Sequence, residues 1–200
     1  GNPLKTIGAT TADVISIRKA GVTMIDNGVA ASALEGVEPA PFGTDGLSGI
    51  WYIPQNPSHT QFSNPSSYSW SFTSKGAGTL AAYDDRTMNP QNECGARTAP
   101  WLMTWGVYSI EVSDRLISIL TEFDTVERTV YMDVTSHNGA AITNQGHSVG
   151  RWEDEILVVD TTHFADHRIG NARGVSSGSQ KYLVERFELN SDGTGLTYRF

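Results

Sequence analysis

The sequence predicts an all-β protein, an antiparallel meander that closes into a β-barrel behind an N-terminal extension. Three observations predict it. From residue 107 onward, short β-branched and aromatic runs recur with turn residues between them, the spacing of hairpin-connected strands. Several of these runs alternate apolar and polar residues, the period of a half-buried strand. No segment carries a convincing helical repeat, so strands alone are expected to build the core. An antiparallel sheet of this many strands tends to curl into a barrel or sandwich, which protects its edges.

Taken in order, residues 1–46 are expected to form the extension and a linker, and residues 47–200 the barrel domain. Thr11, Ala12 and Asp13 could cap a helix reaching Ala33. Residues 14–17 and 22–25 could equally be two strands about Lys19-Ala20-Gly21. Glu38-Pro39-Ala40-Pro41 reads as extended linker, because each proline restricts itself and its predecessor. Gly49-Ile50-Trp51 is a Gly-x-Trp at a strand start, as found where lipocalin-like barrels begin, so the expected architecture is a lipocalin-like β-barrel. Residues 55–67 are an Asn/Pro/Ser-rich loop, and residues 68–72 alternate aromatic and small polar side chains as a strand does.

Residues 78–83 are expected to be a further strand, and residues 84–100 a polar loop holding Cys94. Residues 108–112 and 116–123 flank a Ser113-Asp114 turn. Asp124-Thr125 then turns the chain into residues 126–132. A long loop, residues 133–145, precedes a hairpin over 146–161. Residues 163–179 read as irregular and Gly/Ser-rich. Two last strands, 182–189 and 196–200, flank Ser191-Asp192-Gly193-Thr194.

Composition excludes several function classes. The 200 residues suit one domain with a sizeable core. A net charge of −8 and 14 dispersed basic residues argue against nucleic acid and against anionic membrane surfaces. No run is long and apolar enough for a bilayer-crossing helix, so membrane insertion is not expected. The single cysteine, Cys94, precludes an intramolecular disulfide and a cysteine-rich metal site; a lone Cys is more often a small buried residue than a nucleophile. The sparse Lys and abundant Ser, Thr, Asn and Gly suggest an exported protein, periplasmic or secreted. The chain begins at Gly1 without a signal peptide, as a mature or trimmed chain would.

The 146–161 hairpin, Gly-His-Ser-Val-Gly-Arg-Trp-Glu-Asp-Glu-Ile-Leu-Val-Val-Asp-Thr, is the most informative stretch. It carries His147, Arg151 and Asp160 on an apolar ribbon turned by three acidic residues. It resembles a family of functionally uncharacterised, mostly secreted bacterial proteins with the motif Gly-His-Ser-x-Gly-Arg-Trp-Glu-Gly-Asp-x-Leu-Val-Val-Asp-Thr. The resemblance reaches Phe164, Asp166 and the Val184-Glu185-Arg186-Phe187 run, and more loosely everything from Gly49 onward. Two departures stand out. Asp154 replaces the usual turn glycine, and Ser177 replaces a histidine. The family implies an exported barrel but no particular activity.

Side-chain parity singles out two misplaced charges. Leu183, Glu185, Phe187 and Leu189 share a face, and so do Val126, Arg128, Val130 and Met132. A buried lone charge costs several kcal/mol, so Arg128 is expected to pair inside the barrel with Glu185 or Asp160. His147, with a pKa ordinarily near neutrality and a glycine beside it, is a candidate general base. The candidate catalytic set is therefore His147, Arg128, Glu185 and Asp160. Arg151, Trp152, Glu122 and Tyr131 are candidate ligand-binding residues.

Other chemistries fit less well. His163 and His167 lie four apart with Asp160 and Asp166 nearby, but the segment does not read as a helix and no metal is expected. No cofactor is expected, since neither phosphate-binding glycine motif is present. Residues 146–150 spell Gly-x-Ser-x-Gly, yet Ser148 leads into a hairpin rather than the strand-to-helix turn of a nucleophile elbow. The expected function is binding of a small, largely apolar molecule in the barrel interior. The alternatives are a cofactor-independent lyase or isomerase with His147 as base and Arg128 steadying negative charge, or an assembly subunit forming homo-oligomers through its N-terminal extension.

Overall fold

A computed structural model of the chain describes residues 14–19, 46–52, 71–104 and 106–200. Its strands are β1 (Val14–Lys19), β2 (Gly49–Tyr52), β3 (Val107–Val112), β4 (Leu116–Thr121), β5 (Glu127–Tyr131), β6 (His147–Glu153), β7 (Ile156–Thr162), β8 (His167–Ala172), β9 (Val175–Ser177), β10 (Leu183–Leu189) and β11 (Gly195–Arg199). Eight of them form one curled sheet in the order β11-β10-β7-β6-β5-β4-β3-β2. β1 is antiparallel to both edge strands, with Val14 opposite Arg199 of β11 and Arg18 opposite Tyr52 of β2. A strand thus lies within the residues expected as extension. The readings made for residues 20–45 and 53–70, and most of the expected 68–72 strand, fall outside the described residues.

The inner face carries the core. Trp51, Tyr108, Ile117, Val130, Val159 and Tyr198 are fully buried, and β10 alternates as the parity argument requires, with Leu183, Glu185 and Phe187 inside. Trp51 donates its indole N–H to the Leu47 carbonyl at 2.7 Å, so this aromatic is buried with its polar atom satisfied.

Four expectations are corrected. First, the sheet is not a pure antiparallel meander: β5 and β6 run parallel, with Val130 opposite Ser148. A parallel pair cannot be joined by a tight turn, which accounts for the long 132–146 crossover. Second, residues 78–83 are not a strand. Helix α1 (Ser74–Ala81) covers most of them, started by Thr73, whose Oγ1 accepts from the Gly76 N–H at 3.1 Å. Third, the 84–100 loop has structure of its own. It holds helix α2 (Asp85–Met88), a 3-10 turn (Pro90–Glu93) and a buried passage from Arg97 to Thr104, while Cys94 is exposed. Fourth, residues 163–179 contain the β8–β9 hairpin, in which Ala172 faces Val175 and Gly174 makes the turn at φ 75.

Asp154 sits in the β6–β7 turn at φ 55, a left-handed conformation that aspartate tolerates where most side chains do not.

Candidate functional site

The candidate residues occupy opposite sides of the sheet. On the inner side, Arg128 and Glu185 form a two-pronged ion pair with side chains 1% and 0% exposed. Arg128 Nη1 donates to Glu185 Oε1 at 2.8 Å, and Nη2 donates to Oε2. Nη2 also reaches Thr161 Oγ1 at 2.8 Å and Ser148 Oγ at 3.0 Å, and Tyr198 donates its phenol to Glu185 Oε1 at 2.7 Å. Burial alone would depress the Arg128 pKa, but the Glu185 charge and hydrogen bonds hold it above its ordinary value. Burial and the same carboxylate raise the Tyr198 phenol well above its ordinary range, so it remains a donor. Of the two partners considered for Arg128, Glu185 is the one it meets.

Asp160 lies on the outer side. It accepts from Arg151 Nη1 and from the Tyr182 phenol, the latter at 2.6 Å. Arg151 also donates to Glu153 Oε1 at 2.7 Å, and Glu153 pairs with Arg186 at 2.9 Å, so the carboxylates and guanidiniums form a ladder across β6, β7 and β10. The ladder is solvent-facing, so its rungs add little to stability. Glu122 is exposed at the end of β4, and Trp152 is 43% exposed at the turn end of β6; neither joins the others.

His147 opens β6 on the outer side too. Its Nδ1 lies 2.8 Å from His137 Nδ1, and its ring stacks on Tyr131 at 5.0 Å between centroids. His163 completes the group, with ring centroids 6.1 Å from His137 and 6.5 Å from His147. Burial, followed by the neighbouring imidazoles, lowers the pKa of His147 and of His137; Asp160 partly opposes the shift at His137. His147 and Arg128 therefore face opposite sides of adjacent strands, and one small substrate cannot touch both. The set Asp160, His163, Asp166 and His167 is not assembled either, because His167 turns away to donate from Nε2 to the Ala96 carbonyl at 3.0 Å. Among the described residues, no three His, Cys, Asp or Glu side chains surround a point that could hold a metal ion.

A cleft of about 380 Å³ lies between the α1–α2 segment and the β8–β9 hairpin. Thr79, Ala82, Tyr83 and Met88 face Asp166, His167, Arg168, Gly174, Ser176 and Ser177 across it. Arg173 clamps the two sides together through Asp85, its Nε donating to Oδ1 at 2.8 Å, and that hydrogen bond first of all holds the Asp85 carboxyl at a pKa of about 2. Among the described residues, the buried Ser177 Oγ on this wall has no hydrogen-bond partner. The His167 imidazole is by contrast committed, donating from Nε2 and accepting the Ile169 N–H on Nδ1 at 3.3 Å.

Lys181 links this region to the interior. Its ammonium donates to the carbonyls of Ala99 and Gly170 and to Thr98 Oγ1, and lies 4.3 Å from the Phe164 ring centroid. Burial lowers its pKa to about 7, against the pull of Glu185. Three acceptors match the three N–H groups of an ammonium, which favours a charged, structural lysine over a nucleophile. Lys181→Met is expected to lower stability by about 1–3 kcal/mol, because it takes the ammonium donor from the buried Ala99 carbonyl, while the Gly170 carbonyl keeps the Thr98 hydroxyl at 2.8 Å. Chemical denaturation of the variant checks this.

Sequence reasoning missed His137 and the cleft. His137 lies in a loop whose path follows no periodicity, and the cleft joins segments some ninety residues apart, Thr79 to Arg168. Ser148, Thr161 and Tyr198 were within reach of the parity argument that found Arg128 and Glu185, since each shares its strand's inner face.

No protein-family model matches the chain, and no significant similarity to a curated protein or to a solved structure is found.

Proposed function

We propose that the protein is an exported, lipocalin-like barrel that binds a small, largely apolar molecule, and that the molecule sits in the α1–α2/β8–β9 cleft. The observation that carries this reading is the cleft itself. Its volume of about 380 Å³ falls within the range of small-molecule sites, its walls are mostly apolar, and it offers a few polar groups on one side. The inner face of the sheet, where a ligand was first expected, is filled by Trp51, Tyr108, Phe187 and Tyr198 around the Arg128–Glu185 pair.

Ala82→Trp should fill the cleft from the exposed end of α1 with little effect on folding. The expected result is one equivalent of an apolar fluorophore such as Nile red bound by the parent, and at least a roughly tenfold loss of affinity in the variant. Unchanged affinity would remove the cleft as the site, and failure of the parent to bind would remove the reading.

A second reading, a cofactor-independent lyase or isomerase with His147 as base, draws on the His137–His147 contact and the lowered pKa of both rings. Its anion-stabilising partner would be Arg151 on the same outer face rather than Arg128. Turnover of any substrate that survives Arg128→Met but not His147→Gln would favour it.

A further inference from the structure

We propose that His137, His147 and His163 form an acid-operated latch on the crossover loop between β5 and β6. Among the described residues, hydrogen bonding from residues 134–142 to the rest of the chain runs through His137 alone; the other bonds in this stretch, Ala140 N–H to the His137 carbonyl and Asn138 N–H to Ser136 Oγ, are internal. Packing adds little, for Val134 is 37% and Ile142 64% exposed. The loop's central stretch is thus held to the sheet through the His137 imidazole, which meets the ring and the backbone of His147 and is reinforced by the His163 ring at 6.1 Å.

The chemistry of that contact makes it sensitive to acid. An Nδ1···Nδ1 hydrogen bond of 2.8 Å needs one ring to donate and the other to accept. When both rings are protonated, both nitrogens are donors and two positive charges meet in a half-buried place, so the bond is lost. The charged and titratable groups around the latch come from every element that packs there. They are His147 of β6, Asp160 of β7, His163 beyond β7 and the Tyr131 phenol of β5. Asp160 is the one anion among them, and Arg151 and Tyr182 already engage it.

The sign of the effect follows from the two rings with lowered pKa. Folding favours their neutral forms, so the latch is complete above their ordinary value of about 6.5 and is lost as pH falls below it through the depressed values. His163 backs the latch from a left-handed backbone at φ 59, with its Nδ1 fixed 2.8 Å from Thr162 Oγ1.

The loop leads toward the cleft. Thr143 accepts from the Ala165 N–H at 2.8 Å, one residue before Asp166 on the cleft wall. Acid release of the loop would therefore loosen that wall and speed ligand loss, a consequence that rests on the proposed cleft reading. The test of the latch uses no ligand, so the two can fail separately.

Backbone and imidazole NMR on the full chain tests it. On going from about pH 7.5 to about pH 5, a window that spans histidine titration, the heteronuclear NOE of residues 134–142 should fall from values like those of the β3–β4 hairpin to those of a free loop. The hairpin itself should not change. In His137→Gln and in His147→Gln the loop should be loose already at the higher pH, with the pH response reduced severalfold or more. A loop equally ordered at both values, an undiminished response in both variants, or His137 and His147 titrating independently at the ordinary value would each overturn the latch. One equivalent of Zn²⁺ bound at neutral pH and lost in His163→Gln would also overturn it, in favour of a metal centre.

Discussion

Arg128→Met and Glu185→Leu are each expected to cost about 3–5 kcal/mol, and the double replacement clearly less than the sum. Each single change leaves an uncompensated charge where the side chains are 1% and 0% exposed. Among the described residues, Glu185 without Arg128 keeps only the Tyr198 phenol as a side-chain donor, and Arg128 without Glu185 keeps only the Ser148 and Thr161 hydroxyls, which carry no charge. The double variant removes both charges; Ser148 Oγ and Thr161 Oγ1 keep each other at 2.9 Å, and the one group that loses its acceptor, the Tyr198 phenol, is neutral. Urea denaturation of the four proteins measures the coupling. Additive losses would mean that the pair contributes nothing as a pair. Should either single variant fail to fold, Arg128→Lys, which keeps the charge and loses the fork, and Glu185→Gln, which keeps the shape and loses the charge, give a milder cycle.

Gly146→Ala is expected to cost about 2–5 kcal/mol, although it adds a single methyl group. Gly146 holds φ 70, and a Cβ there would lie 2.6 Å from the Thr162 carbonyl oxygen and 2.8 Å from Thr161 Cγ2. The first of these is backbone and cannot swing away. The second belongs to a side chain whose hydroxyl is tied into the Arg128 network. Gly139→Ala provides the control. Its φ is 77, yet nothing lies within 4 Å of the added carbon, so only the conformational cost of about 1–2 kcal/mol should remain. Thermal unfolding would then place Gly146→Ala several degrees below Gly139→Ala, since 1 kcal/mol moves the midpoint of a domain this size by about 2–4 °C. Equal losses would show that the steric reading of Gly146 is wrong.

Which parts of the molecule were legible depended on how local their causes are. Strand parity is a local signal of period two, and it places Arg128 and Glu185 on the apolar faces of their strands, where the structure holds them. The β3–β4 and β6–β7 hairpins were legible for the same reason, helped by turn residues whose backbone preferences are their own. Residues 74–81 were not, because the apolar stripe of Ser74-Lys75-Gly76-Ala77-Gly78-Thr79-Leu80-Ala81 is one short turn, Ala77, Leu80 and Ala81, interrupted by two glycines. Its helix depends on the Thr73 cap and on the β9 surface beneath, where Ser176 Oγ lies 3.2 Å from Thr79 Oγ1. The Gly/Ser-rich 163–179 stretch hid a hairpin because its strands are short and its turn is marked only by Gly174.

The sequence by itself determined the strand-rich class, the β3–β4 and β6–β7 hairpins and the need for Arg128 to find an anion inside. Tertiary structure alone decided the direction of β6 beside β5, the side of the sheet to which each candidate turned, and the company that His147 keeps. Alternation along a strand says that two residues share a face, but not which strand will lie next to it. That choice depends on the crossover of residues 132–146, whose length permits a parallel return and whose composition does not require one. His147 was therefore readable as a histidine at a strand start. Its partnership with His137 and His163 exists only because the crossover and the β7–β8 connection end on the same stretch of the outer wall, where burial favours neutral imidazoles that can share a proton.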